Sequence, residues 1–229
     1  MKKLVMTAAV LACAASIASA QTVTSANIVG YGKVQAADGL QIASMQFVSG
    51  SNTLDTIFGD QYPLGTQILT YLEPGGYQTS TYATTYPPPS YLPTPGWAGA
   101  VTSIGGAQAC WIKMPGGSSA VENIMSGEVP LADAVTNSVV AGLNLFAYPY
   151  PTEMEIQDLG FVPVVGDQIF LYDNIGGYVT VNYATTYPPP SYLPTPGWTS
   201  PTTKVPVGGG FWYKTDTATS WIATRPFTP

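Results

Sequence analysis

Along most of this chain, side chains change character at every second position. In Gly177-Tyr178-Val179-Thr180-Val181-Asn182-Tyr183 aromatic and polar residues fall at spacing two, the period of a strand with one buried face. The pattern predicts strands over 27–34 and 40–48. A hairpin follows, pairing 66–71 with 77–82 across Glu73-Pro74-Gly75-Gly76, and further strands are predicted over 108–114 and 121–129. One segment breaks the period. In 52–59, Leu54, Ile57 and Phe58 share a helical face, Asn52 suits the N-cap and Gly59 suits the stop, so one or two helical turns are expected there.

The pattern is written twice. YATTYPPPSYLPTPGW runs from Tyr82 to Trp97 and again from Tyr183 to Trp198, an offset of 101. The same offset relates Gly65-Thr66-Gln67-Ile68 to Gly166-Asp167-Gln168-Ile169 and Gly75-Gly76-Tyr77 to Gly176-Gly177-Tyr178. It also relates Cys110-Trp111-Ile112-Lys113 to Phe211-Trp212-Tyr213-Lys214. Earlier in each copy the offset drifts, as Gly39-Leu40-Gln41-Ile42 against Gly142-Leu143-Asn144-Leu145 shows. A duplicated unit of roughly 100 residues has the size of a small domain. The expectation is all-β: two tandem homologous modules, sandwich-like or small barrels, each with one short helix. Their bounds are 21–130 and 131–229, after a leader over 1–20.

The identical string cannot be a central strand. Its prolines remove ladder donors and fix φ, and the run should take polyproline II geometry as an ordered excursion. Tyr86, Tyr91 and Trp97, with Tyr187, Tyr192 and Trp198, are the candidate site residues. As exposed platforms they would stack on sugar rings, peptides or a neighbouring subunit. Alternatively they fold back over their own module. Burial is the preferred reading for the two tryptophans, and for the tyrosines both readings stay open.

Composition sharpens this. Charged residues are 9% of the chain, with 24 Gly, 21 Pro and 15 Tyr. Ordinary domains carry about 25% charged residues, and this balance favours short strands and turns over long helices. The N-terminus reads as an export signal. Lys2 and Lys3 precede an uncharged, mainly apolar run over 4–12, and Ala18-Ser19-Ala20 ends it with small residues. Cys13, in Val10-Leu11-Ala12-Cys13, loosely fits a lipidation site as a second reading. Export places the protein outside the cell, on its surface, or in a periplasm. Without Lys2 and Lys3 the chain carries five basic and thirteen acidic residues, a net charge of −8. That excludes nucleic acid and anionic membrane as expected partners. No later stretch reaches the ~20 apolar residues of a membrane helix.

Catalytic chemistry is poorly supplied. With no histidine in the chain, Ser-His-Asp, Cys-His and His-bearing zinc sites are excluded. Gly208-Gly209-Gly210 precedes a strand and does not form a phosphate loop. Glu153, Glu155 and Asp158 could serve as paired carboxylates, but Asp55 and Asp60 do not repeat their pattern, and a solvated helix face explains them. Asp173-Asn174 offers too few oxygens for calcium. No cofactor is expected, and the chain is read as a non-enzyme. Cys110, within the apolar run Ala109-Cys110-Trp111-Ile112, reads as buried, the alternative being a bond between chains.

The Gly-Leu-Gln-Ile start, the Gly-Gly-Tyr hairpin and the Cys-Trp-Ile-Lys and Phe-Trp-Tyr-Lys strands resemble a repeat of secreted bacterial proteins. That repeat reads Gly-aromatic-Asn-Leu, a short helix, a strand, Gly-Tyr, then Gly-(Phe/Tyr)-(Trp/Phe)-(Ile/Val)-Lys. Asn27-Ile28-Val29-Gly30-Tyr31 looks like the mature start of such a protein. The resemblance implies export and β-modules and carries no activity. The Pro/Tyr insert departs from it. The sequence therefore predicts an extracellular structural protein that self-associates into a coat or fibre. The alternative is a module binding polysaccharide or peptide through the loop aromatics.

Overall fold

A computed structural model describes residues 28–48, 51–86, 89, 91–173, 177–187 and 193–228. The leader, Cys13 and Tyr192 lie outside the described residues, as does most of each polyproline run. The molecule is all-β with two sheet-rich modules, and among the described residues no sheet closes into a barrel.

The first module contains β1 (Val29–Ala36), β2 (Gly39–Ser44), α1 (Leu54–Phe58), β3 (Gln67–Leu72), β4 (Gly76–Thr85), β5 (Thr94–Gly99), β6 (Ala109–Met114) and β7 (Val121–Glu128). Five of these strands form an antiparallel sheet in the order β2-β6-β3-β4-β5, while β1 pairs with β7. Val34 and Ala36 of β1 and Met125 of β7 close over Ala43, Ile68 and Ile112 of the sheet, with Leu54, Ile57 and Phe58 of α1 plugging the same core. The second module repeats this with β8 (Ala134–Val139), β9 (Gly142–Phe146), β11 (Gln168–Asp173), β12 (Gly177–Thr186), β13 (Thr195–Trp198), β15 (Phe211–Thr215) and β16 (Thr219–Thr224). Its sheet order is β9-β15-β11-β12-β13, and β8 pairs with β16. Short strands β10 (Met154–Glu155) and β14 (Lys204–Val205) are paired where the first module has a single bridge, Thr53 with Ser103.

Three local expectations are corrected. The helix N-cap is Thr53, whose side chain accepts from the Thr56 N–H at 3.3 Å, one residue after Asn52. The second module has only a 3-10 turn, Ile156–Asp158, and no side-chain cap. Glu155 stands where Thr53 stands, but its carboxylate accepts from the Gln157 side chain and caps no backbone N–H, so the orphan N–H groups of a longer helix would go unsatisfied. Thr94 to Trp97 also leave the loop and join β5, where Pro95 is tolerated because the strand is at the sheet edge.

Strands β6 and β15 bury both faces. Cys110, Ile112 and Met114 point into the first core, and Ala109 and Trp111 point away from it. Phe211 and Tyr213 fill the second core while Trp212 points away. Those outward faces meet. Trp111 lies edge-on to Tyr172 at 5.0 Å, and Trp212 to Tyr71 at 4.9 Å. The Ala147 N–H donates to the Ala107 carbonyl, and the Ser44 N–H to the Gly208 carbonyl, both at 2.9 Å. Each contact is the repeat-equivalent of its partner. Reciprocity of this kind is the mark of an isologous interface, here made within one chain. The result is four layers: β1–β7, two five-stranded sheets back to back, and β8–β16.

Cys110 is buried and free. Burial pushes its thiol up to about 12, which keeps it protonated and unreactive. Burial likewise pushes the Tyr148 phenol up to about 12 and raises Tyr62 and Tyr213, the last also held by donation to the Asp167 carboxylate at 2.5 Å. Unfolded phenols ionise near 10. Above that pH the unfolded chain binds fewer protons than the folded one, so stability falls as pH rises. The urea midpoint is expected to be insensitive to these groups below about pH 10 and to drop steeply between about 10 and 12. Phenolate absorbance from the buried tyrosines should appear only with unfolding.

Candidate functional site

Strands β4 and β5 form a two-stranded finger, and β12 and β13 form its copy. In the first module β4 and β5 pair from Ser80–Gly99 out to Thr85–Thr94, and in the second β12 and β13 pair from Tyr183–Trp198 to Thr186–Thr195. The outermost rungs are tied identically. Thr85 Oγ1 donates to the Thr94 carbonyl and Thr186 Oγ1 to the Thr195 carbonyl, both at 2.8 Å. Thr94 and Thr195 hydroxyls then donate to the Leu92 and Leu193 carbonyls, both at 3.2 Å.

The candidate rings divide into two groups. Tyr86, Tyr91 and Tyr187 are 61%, 66% and 62% exposed, beside the equally exposed Leu92 and Leu193. Tyr91 takes the left-handed region, φ 50, a cost of order 1–3 kcal/mol for a non-glycine residue. Trp97 instead folds under. It sits opposite Tyr82 in the register, packs on Phe58, Tyr62 and Tyr82 at 5.2–5.9 Å, and donates its indole N–H to the Gly59 carbonyl at 3.1 Å. Trp198 repeats the placement, 5.2 Å from Tyr183 at the rim of the second core. The tryptophans are therefore root anchors of the fingers, and Tyr86, Tyr91 and Tyr187 are rings in solvent.

The chain matches no protein-family model, no curated protein and no solved structure.

The structure adds a pair of clefts that sequence reasoning missed. One, of about 380 Å³, is walled by Leu40, Leu69, Tyr77 and Trp111, with Lys113 at its edge. The other, of about 360 Å³, is walled by the repeat-equivalents Leu143, Phe170, Tyr178 and Trp212, joined by Tyr71 and Tyr77. They flank the seam between modules. Trp111 is 2% exposed, and its indole N–H points at Tyr77 without reaching hydrogen-bond geometry. Burial raises the Tyr77 phenol, and the neighbouring Tyr178 phenol adds to the shift. The only signal in the sequence was a tryptophan on the non-core parity of β6 and β15.

The acidic candidates stay on the surface. Glu153 pairs with Lys204 at 3.1 Å, Glu155 accepts from Gln157 at 2.9 Å, and Asp158 is exposed. Asp173 accepts from the Gly177 N–H at 3.1 Å, while Asn174 lies outside the described residues. Among the described residues no group of three metal-ligating side chains occurs, and no helix is long and apolar enough to cross a membrane.

Proposed function

We propose that the chain is an exported structural protein that self-associates outside the cytoplasm into a coat or fibre. One observation carries this reading: two fingers of identical sequence hold tyrosines and leucines in solvent on ribbons rooted by tryptophan. Apolar groups presented together in this way mark interaction surfaces. Proline fixes φ along each run, so little chain entropy is lost on docking.

The chemistry of the clefts complements that of the fingers. Proline has no N–H, so a finger offers carbonyl acceptors between apolar rings, and aromatic grooves take such segments. The clefts offer aromatic walls and, at the first of them, the ammonium of Lys113. A finger in a cleft joins two unlike patches, so copies add without closing the assembly. Light scattering and electron microscopy of the chain from Gln21 onward should show particles that grow with concentration. A monomer at every concentration would overturn the proposal and leave the saccharide- or peptide-binding reading of the same tyrosines.

A further inference from the structure

A third cavity, of about 490 Å³, opens between the modules on the flank where the β3–β4 turn meets β8 and β9. Its volume lies in the range of small-ligand sites, roughly 300–1,000 Å³. Leu145, Phe146 and Val135 give it apolar walls, and Glu73, Gln108 and Asn137 add polar groups. Glu73 already accepts the Tyr71 hydroxyl at 2.5 Å through one oxygen. Its carboxylate lies against Gly142 of the other module, within 3.3 Å of where a Cβ would stand.

Asn137 is the decisive residue. Its Nδ2 is out of solvent and has no hydrogen-bond partner. An unpaired buried amide costs about 1–3 kcal/mol. The duplicated module supplies the comparison. Asn137 pairs with Trp221 in β8–β16, and the matching rung of β1–β7 is Val34 with Asn123. Val34 is core. One fold therefore accepts valine at this position, and only the copy that borders the cavity carries the costly amide. Likewise Gln108, which lines the cavity and accepts the Gly105 N–H at 3.3 Å, stands at the repeat position of Gly209.

The lining narrows the ligand class. An anion would face the Glu73 carboxylate. A metal ion would find one carboxylate where an oxygen cage needs several. A wholly apolar ligand would leave Asn137 unpaired and Glu73 desolvated. A neutral ring of hydroxyls can donate to Glu73, accept from Asn137 once its enclosed amide turns toward the cavity, and lay its C–H face on Phe146 and Leu145. We infer that this cavity binds a neutral sugar unit, the recognisable chemistry being a pyranose of an extracellular polysaccharide. This inference is independent of self-association and uses none of the finger residues.

Titration of the full mature chain with cellotetraose, maltotetraose, mannotetraose and chitotetraose, followed by calorimetry and by the side-chain amide resonances of Asn137, tests it. At least one oligosaccharide should bind saturably and shift those resonances. Asn137→Val, which installs the residue of the sister module, should weaken binding about tenfold or more, the loss of one hydrogen bond to a buried group. The same variant should melt no lower than wild type, which a purely structural asparagine would not allow. Glu73→Gln should weaken binding while keeping the shape of the site. Absence of binding to all four sugars, or binding unchanged by both substitutions, overturns the inference.

Discussion

A single methyl group added at Gly210 is expected to destabilise the protein by about 1–3 kcal/mol, the usual cost of overpacking a close contact. A Cβ at this position would stand 2.4 Å from the Ala109 Cβ and 3.0 Å from carbons of Ile42. Ala109 and Gly210 are repeat-equivalents at the offset of 101, and they face each other where the modules meet. In an interface made by like surfaces, the residue nearest the axis meets its own counterpart. There is room there for one methyl group and not two. Gly210→Ala should lower the melting temperature by about 2–4 °C per kcal/mol for a chain of this size. Ala109→Gly in the same molecule should recover most of the loss, because the swapped pair again holds one methyl. A control such as Ser90→Ala, far from the seam in sequence, should not rescue. Additive damage in the Ala109→Gly/Gly210→Ala double variant would show that the two positions do not meet.

Trp221→Ala should be the most damaging single substitution, at about 3–5 kcal/mol. The side chain is fully buried. It stacks on Phe161 at 4.8 Å and 13°, touches Phe146 and Phe211, and donates its N–H to the Leu159 carbonyl at 2.6 Å. Asn123 holds the same register position in the first module and does the same polar work, donating to the Ile57 carbonyl at 2.8 Å. Both residues tether the two-stranded layer to the carbonyls of the helical turn. Asn123→Ala loses that tether but little apolar area, so about 1–3 kcal/mol is expected. Trp221→Phe, which keeps most of the packing and loses the N–H, should fall between wild type and Trp221→Ala. Denaturant midpoints at constant slope decide the ranking.

Asn123 and Trp221 also show where sequence reading stops. The repeat, the hairpins and the β-rich class were legible because they rest on local signals: spacing two, Gly-Gly turns and a literal string of sixteen residues. Equivalence between an asparagine and a tryptophan is invisible to such signals, since only the register reveals that both N–H groups seek the same carbonyl. The helix was legible in the first module because its apolar face and stop residue are local. In the second, the cap position is Glu155, whose carboxylate turns to Gln157 and not to the backbone, and only a single 3-10 turn forms. The seam was hidden for a different reason. A continuous run such as Ala109-Cys110-Trp111-Ile112 signals burial on both faces, but nothing in it says that the second cover is the other copy of the same sheet. The cavity, and the cleft that joins Tyr71 and Tyr77 to Trp212, are built from both modules and exist only because of that docking. Among the candidate rings, the cross-strand partners of Trp97 and Trp198 settle their inward placement, and these partners follow from a register that the proline run does not display.

Sedimentation velocity of the mature chain beside a variant with Tyr86, Tyr91, Tyr187 and Tyr192 all changed to Ser is the most direct measurement of what the fingers do. The wild type should sediment as a series of species whose weight rises with concentration. The variant should stay a monomer with an unchanged melting temperature, because its tryptophan anchors and cores are intact. Assembly of the variant to the same extent as the wild type would contradict the assignment of self-association to the fingers.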